Sequence, residues 1–239
     1  SDFDTYKQWF IENCVNTDFI QIDLTKKTAC AYMLTDNSNN QLTIFAVGAM
    51  QDISALTNFD FDGLPKIDYA VISPGFPYSM LYLAQSCMER KIPYLVDPGQ
   101  SLTALSTDAL FSLIDSSEGF IANEYEAQLI SKTPSMPIRK FAKRTSFLIV
   151  TKGEKGADIY VADKITHVPA VKDANVVEVT GCGDAFRSGF LHGLTNNESL
   201  EKSCQLGHIT ASFAIEQKGT QKHRFTLEDF RQRFRKYYG

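Results

Sequence analysis

Short apolar runs alternate with longer amphipathic stretches along most of the chain beyond residue 67. Bounded apolar runs predict buried strands, and apolar residues at every third or fourth position predict helices. The predicted strands are 67–73, 92–96, 119–122 and 146–150. The predicted helices are 78–91, 103–114, 124–131, 184–194, 200–217 and 227–237. This alternation predicts β-α-β units and a mainly parallel sheet that is covered by helices on both faces.

Two regions depart from this rhythm. Residues 157–161 and 165–168 flank Asp163-Lys164, which predicts a β-hairpin. In the first third, the segments 19–24, 28–35 and 41–46 are predicted to be strands, with the turn-forming residues 36–40 between the last two. We therefore expect a small β-rich flap region with the first helix at 1–50, and an α/β body at 51–239.

Composition excludes several classes of protein. The 239 residues are 44% hydrophobic and 22% charged, as in an ordinary globular protein. The net charge of −4, without a long basic run, argues against nucleic acid or an anionic membrane as the partner. No apolar stretch approaches the ~20 residues that span a bilayer. The five cysteines are scattered and odd in number, which predicts a reducing, cytoplasmic location. Without a C-x-x-C pair, and with four scattered histidines, the chain is not expected to hold a structural zinc.

The most informative segment is a glycine-bracketed turn that opens directly into a helix. Gly181 and Gly183 let the backbone come close to a ligand, and Asp184 follows in the first helical turn. The unpaired N–H groups of a helix start suit an anion. A carboxylate beside an anion is electrostatically unfavourable unless it has a task, such as accepting the proton of a hydroxyl that attacks a phosphate.

Three such patches follow predicted strands, where open α/β sheets bind ligands. They are Asn123-Glu124-Tyr125-Glu126, Thr151-Lys152-Gly153-Glu154-Lys155-Gly156 and Gly181-Cys182-Gly183-Asp184. Each alone has a plain structural interpretation, because a glycine turn is often only a turn and an acid in a first helical turn often complements the helix dipole. Their order and matching positions are far more specific than any single patch.

Together these motifs resemble the ribokinase-like (PfkB) family of carbohydrate and nucleoside kinases. The family signature Asp-Thr-x-Gly-Ala-Gly-Asp-x-Phe is met by Glu178-Val179-Thr180-Gly181-Cys182-Gly183-Asp184-Ala185-Phe186. Further matches are 2–9, Pro98-Gly99-Gln100, Asn123–Glu126, Gln205-Leu206-Gly207 and Gly219-Thr220-Gln221. Within the family, the chain is most similar to bacterial adenosine kinases. The resemblance implies a three-layer α/β/α fold with a mainly parallel central sheet and a small β-rich lid. Residues 1–50 would form part of that lid, and residues 51–239 would form the nucleotide-binding and catalytic body.

The resemblance also implies a reaction and its residues. An ATP-dependent kinase would transfer the γ-phosphate to a hydroxymethyl group, foremost that of adenosine, giving AMP. Asp184 would be the base, and the backbone N–H groups of Gly181, Cys182 and Gly183 would stabilise the transferring phosphoryl group. The remaining implied residues are Asn123 and Glu126 for Mg²⁺, Thr151, Gly153 and Gly156 around the nucleotide, and Gly219, Thr220 and His223 near the adenine. A P-loop and the protein-kinase motifs are absent from the sequence.

Some positions leave alternatives open. Cys182 stands where the family usually has alanine, so it is either a small passive residue or a nucleophile with a lowered pKa. Asp97-Pro98-Gly99 is either a structural turn or a lining of the site, and Lys152 either approaches phosphate or is a solvated lysine. Glu178 keeps the charge of the family's aspartate.

The family's N-terminal strands and the Gly-Gly-x-x-x-Asn acceptor element have no match here, so we expect that part of the fold to be missing. Two alternative functions therefore stay open: a ribokinase- or fructokinase-like sugar kinase, and a truncated, non-catalytic nucleotide-binding protein. The sheet edge that such a loss would leave invites pairing with another chain. The partners that we expect are a small-molecule nucleoside or sugar as the substrate and, through that sheet edge, a second copy of the chain in a homodimer.

Overall fold

The protein is described by a computed structural model covering residues 1–35, 41–51, 56, 59–132 and 135–239. The predicted turn at 36–40 lies outside the described residues. The chain forms two compact units, Ser1–Leu64 and Pro65–Gly239. We expected the boundary after residue 50, whereas the first compact unit extends to Leu64.

The first unit contains a two-stranded antiparallel sheet. Helix α1 is Asp4–Glu12, strand β1 is Cys30–Thr35, strand β2 is Gln41–Ala46, and a 3-10 turn spans Gly48–Gln51. The predicted strand at 19–24 is wrong, because this segment is irregular. Side chains there bond to the nearby backbone instead: Asp23 Oδ1 accepts from Thr25 N at 2.8 Å, and Asn16 Oδ1 accepts from Asp18 N at 2.7 Å. Such local bonds compete with strand pairing.

The second unit is built on a six-stranded sheet in the order β3-β4-β5-β6-β7-β8. Strands β3 to β6 are parallel, whereas β7 and β8 form the predicted antiparallel hairpin at the edge. The strand bounds are β3 Ala70–Ile72, β4 Tyr94–Val96, β5 Gly119–Asn123, β6 Phe147–Thr151, β7 Ala157–Val161 and β8 Lys164–Val168. The mainly parallel sheet is therefore confirmed.

Helices cover both faces of this sheet. The helix bounds are α2 Pro77–Glu89, α3 Thr107–Ile114, α4 Glu124–Lys132, α5 Ile138–Ala142, α6 Cys182–Thr195, α7 Leu200–Ile215 and α8 Leu227–Tyr238, with 3-10 turns at Gly99–Ala104 and Gly153–Lys155. The short α5 was not predicted. Helix α3 begins later than predicted because Ser106 caps it, its hydroxyl accepting from Ala109 N at 3.2 Å.

Alternate residues of the central strands divide the core into two clusters. Phe120 packs in one cluster with residues of α2 to α5, and Ile121 packs in the other with residues of α6 and α7. Leu148 and Ile149 divide in the same way in the next strand. The sheet thus lies between two helical layers, as in the ribokinase-like α/β/α fold. Across the residues that the structure describes, no helix is both long and apolar enough to cross a membrane.

Candidate active site

Helix α6 begins without a side-chain cap. Gly181 occupies the N-cap position with φ of +83°, a left-handed conformation that favours glycine. Cys182 N donates to the Val179 carbonyl at 3.2 Å, so this N–H is engaged within the turn. Asp184 lies in the first turn with 78% of its side chain exposed. The predicted base therefore stands at an uncapped helix start and is open to a ligand.

The loop at Gly219–Thr220 lies directly against this turn. Gly219 N donates to Glu178 Oε2 at 2.8 Å, and this bond lowers the pKa of the Glu178 carboxyl. A Cβ on Gly181 would come within 3.1 Å of Thr220 Cβ, which is tighter than an ordinary contact. Two contacts thus bring together segments that are far apart in the sequence: the turn predicted to stabilise the phosphoryl group and the loop predicted to lie near the adenine.

A second helix start, at α4, follows the neighbouring strand β5. Asn123 and Glu126 bond to each other three times: Glu126 Oε2 accepts from Asn123 N, Glu126 Oε1 accepts from Asn123 Nδ2, and Asn123 Oδ1 accepts from Glu126 N, each at 2.8 Å. Asn123 also lies opposite Thr151 in the parallel pairing of β5 and β6. The structure therefore gathers the predicted residues of two patches at the carboxyl ends of adjacent strands.

The donor set at α4 suits Mg²⁺ in one specific way. Each Glu126 oxygen accepts one hydrogen bond from Asn123 and keeps further lone-pair capacity. Asn123 Oδ1, which accepts from the Glu126 N–H, is a neutral amide oxygen and therefore the weaker acceptor. Burial raises the pKa of Glu126. Mg²⁺ usually keeps several waters and takes few protein carboxylates beside substrate phosphates. Glu126 fits as the group that holds such waters, with Asn123 orienting it. Within the described ranges, no group of three or more His, Cys, Asp or Glu side chains is arranged to hold a metal ion.

The glycines that follow β6 differ from each other. Gly153 has φ of +57°, and a Cβ there would meet no atom within 4 Å in the described structure. Gly156 has φ of +101°, and a Cβ there would lie 2.1 Å from the Val168 carbonyl oxygen. Gly156 is therefore needed for the close approach of β8, while Gly153 leaves open space. Lys152 forms an ion pair with Asp158, which raises the pKa of the lysine, so it is a paired lysine rather than a solvated one.

An arginine that the sequence analysis did not single out connects the site to the sheet. Arg187 Nε lies 2.8 Å from Asp97 Oδ2, and Arg187 Nη2 lies 2.6 Å from Asp184 Oδ1. Asp97, which follows β4, has only 3% of its side chain exposed. Burial raises the pKa of Asp97 to about 6, and the arginine opposes that rise. Asp97 is thus more than a turn residue. The spacing of Asp184 and Arg187, one helical turn apart, is the signal that could have revealed the pair.

Two further predicted residues have distinct surroundings. Burial raises the pKa of the Cys182 thiol, which disfavours the thiolate that a nucleophile requires. Burial lowers the pKa of His223, and its Nδ1 atom is buried without a hydrogen-bond partner in the part of the chain that the structure describes. His223 lies near Phe225, with ring centroids 6.4 Å apart. The half-buried imidazole is therefore neutral and has an unused polar atom.

Comparison with known proteins identifies the family. The model of the pfkB family carbohydrate kinases matches residues 1–225, so the chain belongs to this family. The nucleoside kinase of Methanocaldococcus jannaschii is 31% identical over 232 residues, which are 97% of this chain and 75% of that protein. The ribokinase of Lactococcus lactis is 30% identical over 218 residues, or 90% of this chain and 69% of that protein.

Solved structures agree with this assignment. The nucleoside kinase of Burkholderia thailandensis in complex with inosine has a TM-score of 0.93 at 28% identity, covering 100% of this chain and 77% of that chain. The crystal structure of the Methanocaldococcus jannaschii nucleoside kinase has a TM-score of 0.88 at 30% identity, covering 98% and 78%. The predicted family, fold class and reaction type are confirmed: the chain is a phosphotransferase with an alcohol group as acceptor. Membership of this kinase family implies the use of ATP.

Proposed function

We propose that this pfkB-family chain transfers the γ-phosphate of ATP to the hydroxymethyl group of a nucleoside, with adenosine as the first candidate. The observation that carries the proposal is the start of α6. There the exposed Asp184 carboxylate stands beside an uncapped, left-handed glycine turn, and the Gly219–Thr220 loop packs against that turn. Phosphoryl transfer requires positioning and charge stabilisation of this kind more than covalent chemistry.

In the proposed reaction, Asp184 acts as the general base. The acceptor hydroxyl gives its proton to the carboxylate, and its oxygen forms a bond to the γ-phosphorus. The bond between that phosphorus and the β–γ bridging oxygen breaks, and ADP leaves with the electron pair. A positioned base contributes about 10²–10⁴-fold to such a step. The N–H groups at the start of α6, foremost that of Gly183, would donate to the phosphoryl oxygens.

The remaining predicted residues take supporting roles. Glu126, oriented by Asn123, would hold Mg²⁺ through its waters, and the ion would supply positive charge beside the phosphates. Thr151 and Gly153 would line the phosphates, since Gly153 leaves open space beside the strand end. Gly219, Thr220 and His223 would contact the adenine. The Nδ1 atom of His223, which has no hydrogen-bond partner among the described residues, would supply a hydrogen-bonding atom.

The nucleoside preference is supported by relatives. Two nucleoside kinases, from Methanocaldococcus jannaschii and Burkholderia thailandensis, resemble the chain over almost all of its length, and the second binds inosine. An adenosine kinase from Schizosaccharomyces pombe is 26% identical over 227 residues. The ribokinase of Lactococcus lactis, at 30% identity, makes a sugar the alternative acceptor.

The test measures ADP release from Mg-ATP with adenosine, inosine, other nucleosides, ribose and fructose as separate acceptors. We expect acceptor-dependent ADP with adenosine above all, and release slower by about 10²–10⁴-fold with the Asp184→Asn variant in parallel. Release with ribose or fructose alone would assign a sugar kinase. ATP binding without ADP release from any acceptor would refute the proposed activity and favour a non-catalytic nucleotide-binding protein.

A further inference from the structure

We propose that Arg187 is a positioning residue for the catalytic carboxylate. The buried Asp97 anchors the guanidinium, the guanidinium holds Oδ1 of Asp184, and Oδ2 is left to receive the acceptor proton. This inference rests on the proposed function, in which Asp184 is the general base.

The geometry joins two parts of the unit through one side chain. Arg187 uses different nitrogens for its two partners, with Nε 2.8 Å from Asp97 Oδ2 and Nη2 2.6 Å from Asp184 Oδ1. Asp97 is itself fixed, because its N–H donates to the Ile72 carbonyl at 3.0 Å. Gly183 leaves room for the guanidinium, since a Cβ there would come within 3.3 Å of Arg187 Nη1. The guanidinium of the flexible Arg187 side chain is therefore held by two carboxylates.

This arrangement differs from an ordinary surface ion pair. Pairs between exposed residues of one helix contribute little, because water screens the charges and the side chains stay mobile. Here only 24% of Arg187 is exposed, against 78% of Asp184, and its other partner is buried on a different element. The planar guanidinium can serve two carboxylates at fixed directions, which a lysine ammonium cannot do equally well.

A competing role for Arg187 is direct binding of an ATP phosphate, a frequent use of arginine. The two roles predict different kinetics. A group that orients the base acts on the chemical step, so its loss lowers kcat and leaves the KM for ATP nearly unchanged. A group that binds phosphate equally before and during the reaction raises the KM for ATP when it is removed.

The experiment compares kcat and both KM values for Arg187→Gln, Arg187→Lys, Asp97→Asn and the double variant Asp97→Asn/Arg187→Gln. We expect Arg187→Gln to lower kcat by roughly 10–100-fold, the cost of a misplaced catalytic group, with the KM for ATP changed by less than about threefold. Arg187→Lys should restore little of this loss. Because Asp97 acts through Arg187, the double variant should be no slower than Arg187→Gln. Arg235→Gln, which removes an exposed arginine paired with Glu228, serves as the control and should keep full activity.

A folding control accompanies the kinetics. Removing Arg187 alone leaves Asp97 buried without its counter-charge, so unfolding in urea should occur earlier for Arg187→Gln than for the double variant. If Arg187→Gln does not fold, the double variant supplies the kinetic comparison in its place.

The outcomes separate this role from the proposed function. An inactive wild type with every acceptor would overturn the proposed function and this role with it. With an active wild type, a kcat for Arg187→Gln near that of wild type overturns the positioning role alone. A large rise in the KM for ATP at constant kcat would overturn it as well. The same holds if the kcat losses of Asp97→Asn and Arg187→Gln multiply in the double variant.

Discussion

The starts of helices α4 and α6 both lie near the carboxyl ends of the central strands, α4 after β5 and α6 beside Asp97, which follows β4. They differ in how their first N–H groups are hydrogen-bonded. At α4, Asn123 and Glu126 form three reciprocal hydrogen bonds, so the helix start is satisfied by its own side chains. At α6, the N-cap is a left-handed glycine without a side-chain cap, and Asp184 stays 78% exposed. The start of α6 is therefore the one suited to the reaction, because its uncapped N–H groups can bind a phosphate and its exposed carboxylate can accept a proton.

This difference assigns separate tasks to the two acids. Glu126 is held in place and partly buried, which suits a group that orients metal-bound water. Asp184 has one oxygen held by Arg187 and is otherwise open, which suits a group that exchanges a proton with a ligand. If this comparison is correct, mutations at α6 should affect turnover, and mutations at α4 should also affect stability.

The largest effect is expected for Asp184→Asn. The amide cannot accept the acceptor proton, so kcat should fall by about 10²–10⁴-fold while the unfolding midpoint in urea stays close to that of wild type. The measurement is steady-state ADP release together with urea unfolding followed by circular dichroism.

Asp229→Asn is the matched control for that variant. Asp229 also lies in a first helical turn, in the capping box that Thr226 forms at the start of α8. If Asp184 only complemented the helix dipole, the two variants would behave alike, with a small loss of stability and normal turnover. Normal turnover by Asp184→Asn would therefore end its assignment as the base.

Acid should weaken the packing beneath α6 through His208. This histidine of α7 contacts Phe186 of α6, with ring centroids 5.0 Å apart, and burial lowers its pKa from 6.5 to about 4. Between these values the unfolded chain binds a proton that the folded chain excludes. The stability contributed by the neutral ring is therefore complete above pH 6.5 and is lost as pH falls toward 4, by up to about 1.4 kcal/mol per pH unit.

The measurement is the free energy of urea unfolding at several pH values between 4 and 7. His208→Gln should flatten the dependence on pH, because glutamine does not titrate. His192→Gln, at an exposed position of α6, should leave the slope of wild type. An unchanged slope for His208→Gln would show that this histidine is protonated equally in both states.

At α4, Asn123→Ala should lower stability by about 1 kcal/mol, because it removes the N-cap acceptor and the amide that holds Glu126. The affinity for Mg²⁺ during turnover should fall as well, since Glu126 loses its orientation. Thr226→Ala is the matched control: it breaks the capping box of α8 and should cost similar stability without any change in the Mg²⁺ requirement. Equal Mg²⁺ dependence in both variants would contradict a metal role for this helix start.

The sequence predicted these regions to different degrees, for physical reasons. Buried strands and the start of α6 were readable because apolar periodicity and Gly181 are local signals. The strand expected at 19–24 failed because bonds from Asn16 and Asp23 to the neighbouring backbone outcompete pairing. The link from Arg187 to Asp97 joins residues 90 positions apart (187 − 97), and only the packing of α6 near the end of β4 creates it.

The smallest effect is expected at Cys182, and it sharpens the comparison because a nucleophile there would give α6 a different chemistry. Burial raises the pKa of this thiol, which disfavours the thiolate that attack on phosphorus requires. The backbone N–H of Cys182 donates to the Val179 carbonyl within the turn. Cys182→Ala and Cys182→Ser should both keep kcat within about twofold of wild type, since only a small residue is required at this position. Loss of turnover in Cys182→Ala comparable to that of Asp184→Asn, with the fold intact, would instead make the cysteine part of the reaction.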